Sequence, residues 1–205
     1  MTTYPIENVH CIVYESPLGR MWLAGGTAGL AGAWFEGQRH FAGPDAAWRV
    51  HEQDALLNEA RRQLDAYFAG RLRSFSLRLD TRGTPFQQAV WRAIAAVPYG
   101  EVVSYGELAR RVGAATAARA AGAATGRNPW SIVVPCHRIV GTSGALTGYA
   151  GGIARKRALL ELEARAAQVG HAEAGPRAEN GAHAALHPLD ARHPRDAQAS
   201  CGATA

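Results

Sequence analysis

The stretch Ile132-Val133-Val134-Pro135-Cys136-His137-Arg138-Ile139-Val140 constrains this chain more than any other. Its β-branched apolar half reads as a buried strand. Proline fixes its own φ and cannot donate to a ladder, so the strand is predicted to stop at Pro135. Cys136 then leaves the core at a rigid turn, held in one orientation. That placement suits a nucleophile, because thiolate reactivity depends on the local field and on access. The competing explanation is core filling, since unpaired cysteines are among the most buried residues. The polar pair His137-Arg138 is out of place at a purely apolar site.

Charge narrows the partner. Residues 85–168 carry 10 basic and 4 acidic side chains, a net +6, whereas residues 1–80 carry 8 and 9. A positive field confined to the segment around Cys136 points to a polyanion. A solvated surface with a generic arginine excess explains the same count. Cys11, Cys136 and Cys201 are too widely spaced for a disulfide framework or a CxxC metal site. No metal site is expected, and a reducing, cytoplasmic setting is. No apolar run approaches the roughly 18–20 residues that span a bilayer, and no signal peptide is evident. The chain is therefore expected to be free of membranes.

Three units are predicted along the chain: a scaffold domain at 1–80, a catalytic domain at 81–168 and a disordered tail at 169–205. The fold class is α+β. In the first unit, strands at 10–14, 20–24 and 30–35 form an antiparallel meander, followed by a helix over 54–69 and a possible strand at 75–79. Thr84 and Pro85 open a helix as its cap and first residue. Ser104 and Glu107 have capping-box spacing for a second. A third fits 116–127, rich in alanine and glycine. The second and third helices, joined across Gly113, have the outline of a helix-turn-helix with Arg119 on the latter. Equally, its small residues allow close helix packing. The glycine-rich segment 141–152 lacks the Gly-Lys-Ser/Thr ending of a P-loop and reads as a pocket wall. A closing helix follows, and from residue 169 alanine, histidine, proline and charge replace the apolar pattern.

Taken together, the second half resembles the catalytic domain of the O6-alkylguanine-DNA alkyltransferases, the methylated-DNA–protein-cysteine methyltransferases. The matching blocks begin with Gly83-Thr84-Pro85-Phe86-Gln87-Gln88-Ala89-Val90-Trp91 and with Val97-Pro98-Tyr99-Gly100-Glu101-Val102-Val103-Ser104-Tyr105-Gly106-Glu107-Leu108-Ala109. Next come Ala117-Ala118-Arg119-Ala120-Ala121-Gly122 and Asn128-Pro129, then the cysteine stretch through Gly141. Leu146-Thr147-Gly148-Tyr149-Ala150-Gly151-Gly152 and Arg155-Lys156-Arg157-Ala158-Leu159-Leu160-Glu161-Leu162-Glu163 complete them, in family order over about two fifths of the chain. The first eighty residues match only in architecture, which the resemblance makes ribonuclease H-like.

What the resemblance implies is specific. Cys136 is the alkyl acceptor, His137 the base that favours its thiolate through a water, and Glu163 the carboxylate that orients the imidazole. Asn128 supports the active-site turn. Tyr105 donates near the flipped base, and Ile139, Tyr149 and Ala150 line the base pocket. Arg119 enters the duplex in place of the extruded nucleotide, with Ala118, Ala120 and Gly122 letting the helix approach DNA. The implied activity is irreversible, stoichiometric transfer of an alkyl group from O6-alkylguanine, and by extension O4-alkylthymine, in double-stranded DNA. No cofactor is implied, and a monomer is expected.

Alone, Tyr105 could be a core aromatic and Glu163 a surface helix carboxylate. Ser131 and Ala150 depart from the proline and serine of some relatives, and the zinc ligands some relatives carry in the first domain have no matching cluster. Two rival functions remain in view. A non-transferring relative that only recognises alkylated bases replaces the cysteine, commonly with tryptophan. A cysteine hydrolase would need neither Arg119 nor the localised charge.

Overall fold

A computed structural model describes residues 9–173. Strands β1 (His10–Ser16), β2 (Gly19–Gly26) and β3 (Gly29–Phe35) form the expected antiparallel meander, and β4 (Arg49–Val50) adds to β1 in parallel. The sheet order is β3-β2-β1-β4. Helix α1 (Ala55–Phe68) covers the sheet, its Asp54 cap accepting from the Leu57 amide. Leu57, Ala60, Leu64 and Tyr67 recur at helical spacing and are buried.

The possible strand at 75–79 does not form. Only Leu79 bridges, in parallel, to Leu30, with Leu30 N–H donating to Arg78 O at 2.8 Å and Asp80 N–H to Leu30 O at 3.0 Å. Gly29 permits this approach. Its φ is +135°, and a Cβ there would sit 2.7 Å from the Arg78 carbonyl oxygen.

Helix α2 (Pro85–Ala95) begins with a complete Thr84–Gln87 capping box. Strand β5 (Val103–Ser104) leads into α3 (Tyr105–Arg111), and α4 (Ala118–Gly126) follows across Gly113, whose φ is +72°. Ser104 caps α3 by accepting from the Glu107 amide, but the Glu107 carboxylate pairs with Arg110 and Arg111 instead of completing the box. Strand β6 (Ile139–Val140) pairs in parallel with β5, and α5 (Ile153–Glu173) closes the fold. This last helix corrects the predicted boundary of the tail. It runs through residues 169–173, with Gly170 inside the helix and not ending it. The remainder of the predicted disordered tail, 174–205, lies outside the described residues.

The reading of 132–134 as a strand is also corrected. Pairing occurs one step earlier: Ala33 N–H donates to Pro129 O at 2.9 Å and Ser131 N–H to Ala33 O at 2.8 Å, so Trp130 bridges β3. The chain must then turn away from the sheet, and it does so at Ile132, with φ +73°. Residues 131–134 are a buried turn that feeds a 3₁₀ turn at Cys136–Arg138.

One core spans both halves. Ile12, Leu23, Phe35, Leu64 and Tyr67 from the first pack in the same cluster as Trp91, Ile94, Trp130, Ile139 and Leu159 from the second. Trp130 sits at the junction. Its indole N–H donates to Leu30 O at 2.7 Å, and its ring meets Trp91 edge-on at 5.3 Å. The site-bearing turn is thus fastened to the sheet of the first domain.

Candidate active site

Cys136 lies at the start of the 3₁₀ turn, 4% exposed. Asn128 holds it: Nδ2 lies 3.2 Å from Sγ, 2.8 Å from Val134 O and 3.3 Å from Trp130 O, while Oδ1 accepts from the Trp130 amide at 3.0 Å. One buried amide therefore ties the turn to the Cys136 sulfur. Burial pushes the Cys136 thiol up, and the Asn128 hydrogen bond and the Lys156 charge pull it back. At neutral pH the thiol needs a base.

A titratable side chain is adjacent. His137 is fully buried, and its Nε2 lies 2.8 Å from Glu163 Oε1. Nδ1 has no hydrogen-bond partner among the described residues. With the Nε2 proton given to Glu163, Nδ1 carries the free lone pair. Burial lowers the imidazole's proton affinity, and Glu163 opposes the change. The balance favours the neutral imidazole.

Glu163 is the hub of the site. Burial alone would raise its pKa, but His137 and Arg138 hold the carboxyl well below the usual range. Arg138 donates from Nε to Oε2 and from Nη2 to Oε1, both at 2.9 Å, and its Nη1 donates to Val97 O. Gly100 N–H donates to Oε2 at 3.0 Å, and the Tyr67 hydroxyl to Oε1 at 2.7 Å. Every acceptor direction is filled, the condition under which a buried carboxylate is stable. Of the two readings of Glu163, the surface one is excluded.

Parallel pairing of Val103 with Ile139 brings the first turn of α3 against the active-site turn. Tyr105 reaches across, its hydroxyl 3.0 Å from Gly148 O and 3.2 Å from Thr147 O. Burial and the nearby Cys136 push that phenol up to about 12. It stays a donor at physiological pH. Gly148, with φ +53°, would bring a Cβ within 3.2 Å of the hydroxyl, so the loop needs glycine there. Tyr149 faces His137 edge-on at 6.5 Å, and Ala150 O accepts from the Arg39 amide at 2.9 Å. Ser131 donates to Gln38 Oε1 at 2.9 Å, so where it departs from some relatives it makes a contact to the first domain.

Lys156, Arg138 and Tyr67 were not anticipated as site residues. The Lys156 ammonium is fully buried and donates to Ile139 O and, at 2.8 Å, to Thr147 O, closing the wall on which Tyr105 also rests. Burial brings its pKa down to about 8. One signal for it existed: it is the only lysine beside 21 arginines, and it stands seven residues, two helical turns, before Glu163. Arg138 was visible as the third residue of the cysteine triplet. Tyr67 had no such signal.

Arg119 stands apart from this cluster. It is exposed on the first turn of α4, with no ion-pair partner among the described residues; Ala120 beside it is exposed, and Ala118 and Gly122 are half-buried. The opposite face of α4, with Ala121, Ala124 and Thr125, is buried. The small residues thus serve packing on one side and leave the other open. Elsewhere, the described residues contain one group with metal-ligand spacing, His10, His51 and Asp54. Asp54 is already engaged there, capping α1 and pairing with His10 at 2.7 Å.

Two protein-family models match the chain: 6-O-methylguanine DNA methyltransferase, ribonuclease-like domain, over residues 9–81, and the DNA binding domain of the same family over residues 85–165. A methylated-DNA–protein-cysteine methyltransferase of Mycobacterium leprae is 50% identical over 155 residues, 76% of this chain and 92% of the relative. One from Methanosarcina acetivorans is 47% identical over 152 residues, 74% of this chain and 96% of that one. Among solved structures, the Mycobacterium tuberculosis OGT in complex with DNA superposes with a TM-score of 0.70 at 48% identity, covering 78% of this chain and 94% of that one. A protein with this α+β fold and a buried Cys-His-Glu cluster of this kind is an alkyltransferase of the DNA-repair type. The chain belongs to the 6-O-methylguanine DNA methyltransferase family.

Proposed function

We propose that the protein repairs DNA by direct reversal, moving the alkyl group of O6-alkylguanine onto Cys136 once per molecule. The observation that carries this reading is the chain of contacts from Asn128 to Cys136 Sγ, with His137 next in sequence and locked on Glu163.

The proposed step balances as follows. His137 Nδ1 takes the thiol proton through a water, and Glu163 stabilises the imidazolium that forms. The Cys136 thiolate attacks the alkyl carbon, a carbon–sulfur bond forms and the carbon–oxygen bond to guanine breaks. The Tyr105 hydroxyl donates a hydrogen bond toward the guanine as negative charge leaves with it. The products are a thioether and a guanine anion, which regains its ring proton from the Tyr105 hydroxyl; the imidazolium gives up its proton through water, restoring the phenol and the neutral His137. Nothing in the cluster resembles a system for cleaving a thioether, so the protein is consumed.

The alkyl carbon is out of reach inside a stacked duplex, so the nucleotide must be extruded. We assign the filling of the vacated stack to Arg119, whose planar cation can replace stacking and also attract phosphates. The proposed form is a monomer acting on double-stranded DNA, in the cytoplasm. No helix among the described residues is long and apolar enough to cross a membrane. The test is incubation with duplex DNA carrying a labelled O6-methyl group. Label retained on the protein supports the reading; label released as free methanol favours a hydrolase, and label left on bound DNA favours a recognition protein.

A further inference from the structure

Tyr67 comes from α1, in the half of the chain that the sequence marked as scaffold, yet it ends in the catalytic cluster. Its hydroxyl donates to Glu163 Oε1 at 2.7 Å and lies 3.5 Å from His137 Nε2. The residue is fully buried. Its ring is held from three sides, by Phe68 at 5.5 Å, Phe75 at 5.6 Å and Tyr99 at 6.0 Å. Those contacts need an aromatic ring and no hydroxyl. A buried hydroxyl is costly unless bonded, so the tyrosine is explained by the bond it makes, not by the core it fills.

That bond has a particular geometry. Glu163 Oε1 receives three donors: His137 Nε2, Arg138 Nη2 and Tyr67. Burial first, and then the Glu163 charge, keep the phenol protonated far above its usual range, so it is a permanent donor. Its proton points at the carboxylate, which leaves the phenol oxygen's lone pairs on the side of the imidazole N–H. His137 and Arg138 belong to the active-site turn, Gly100 to the turn after α2, and Glu163 itself to α5. Among the described residues Tyr67 is the one group from the first half that touches the carboxylate.

We infer that Tyr67 is a positioning residue for alkyl transfer: it fixes the Glu163 carboxylate from the N-terminal domain and so sets the orientation and basicity of His137. The first domain then completes the active site and does more than support it. This rests on the reading of His137 as the base.

The experiment compares Tyr67→Phe, Glu163→Gln, the double variant and His137→Ala in single-turnover transfer from O6-methylguanine duplex DNA. Rates are measured across DNA concentration, with melting curves alongside. Tyr67→Phe should slow the rate at saturating DNA on the order of tenfold, the size of one hydrogen bond to a charged group. The half-saturating DNA concentration should not move. In the Glu163→Gln background the same change should add little, because its partner is already altered. Tyr67→Met, without hydroxyl or ring, should reproduce the loss of rate and the coupling. A wild-type rate in Tyr67→Phe overturns the inference, and so does an equal loss in both backgrounds. A wild-type rate in His137→Ala would instead remove the base itself. A slow His137→Ala beside a normal Tyr67→Phe sinks the Tyr67 inference alone.

Discussion

Asn128 Nδ2 lies 3.2 Å from Cys136 Sγ and 2.8 Å from Val134 O, so one amide holds both the cysteine sulfur and the turn that presents it. Removing it should damage chemistry and stability together. Asn128→Ala strips Cys136 of a hydrogen bond and leaves the buried Trp130 N–H unsatisfied, at about 1–3 kcal/mol, while the Val134 and Trp130 carbonyls keep backbone donors. Transfer should slow at least tenfold, and the urea midpoint should fall. A variant slow in transfer but unchanged in midpoint would contradict the shared role.

Cys136→Ser should abolish transfer while lesion-DNA binding survives, since the hydroxyl keeps the shape and is a far weaker nucleophile. Glu163→Gln should slow transfer less than His137→Ala, because the carboxylate orients the base and does not itself take the proton from sulfur. Single-turnover rates for the three variants check this order. Equal rates in wild type and His137→Ala would remove histidine from the mechanism.

Acid should unfold the protein in two stages. The Glu163 pKa is depressed in the folded state, so its stabilisation is present above the unfolded carboxylate value of about 4.3 and is lost as pH falls through the folded one. His137 is buried neutral, so the unfolded chain gains a proton first, below about pH 6.5, and stability begins to decline there. Urea midpoints measured from neutral pH downward should show both. His137→Ala should flatten the first stage and Glu163→Gln the second. Unchanged profiles in both variants would contradict the assigned charge states.

Much of this was legible in the residues, for a physical reason. The meander shows as short apolar runs broken at Ser16-Pro17-Leu18-Gly19 and Gly25-Gly26, α1 carries the helical period, and Thr84-Pro85 is a local signal that needs no tertiary context. The Cys-His pair could be read because its chemistry is contained in neighbouring residues. The buried turn at 132–134 could not, since β3 takes Trp130 as its partner and that pairing spans a hundred residues. Tyr67 was hidden for the same reason: its place in the helical period is that of a core aromatic, and only the packing of α1 against α5 gives its hydroxyl a carboxylate. Lys156 was hidden among arginines on a charged-looking helix, although Glu163 on the same face was picked out through the family resemblance.

Arg119→Ala separates flipping from chemistry. The side chain is exposed on α4, away from the Cys136 cluster. Repair of O6-methylguanine in a duplex should slow far more than transfer from the free base, which needs no extrusion. If both reactions slow by the same factor, Arg119 supports the active site and not the DNA.

The central claim is that Cys136 is the acceptor and is used once. Mass spectrometry of the protein after reaction with an excess of O6-methylguanine duplex reads both properties in one measurement. The account predicts a single added methyl group per molecule, carried on the peptide that contains Cys136, with repaired DNA equal in amount to modified protein. Repair in excess of protein, or a methyl group on Cys11 or Cys201, would contradict it.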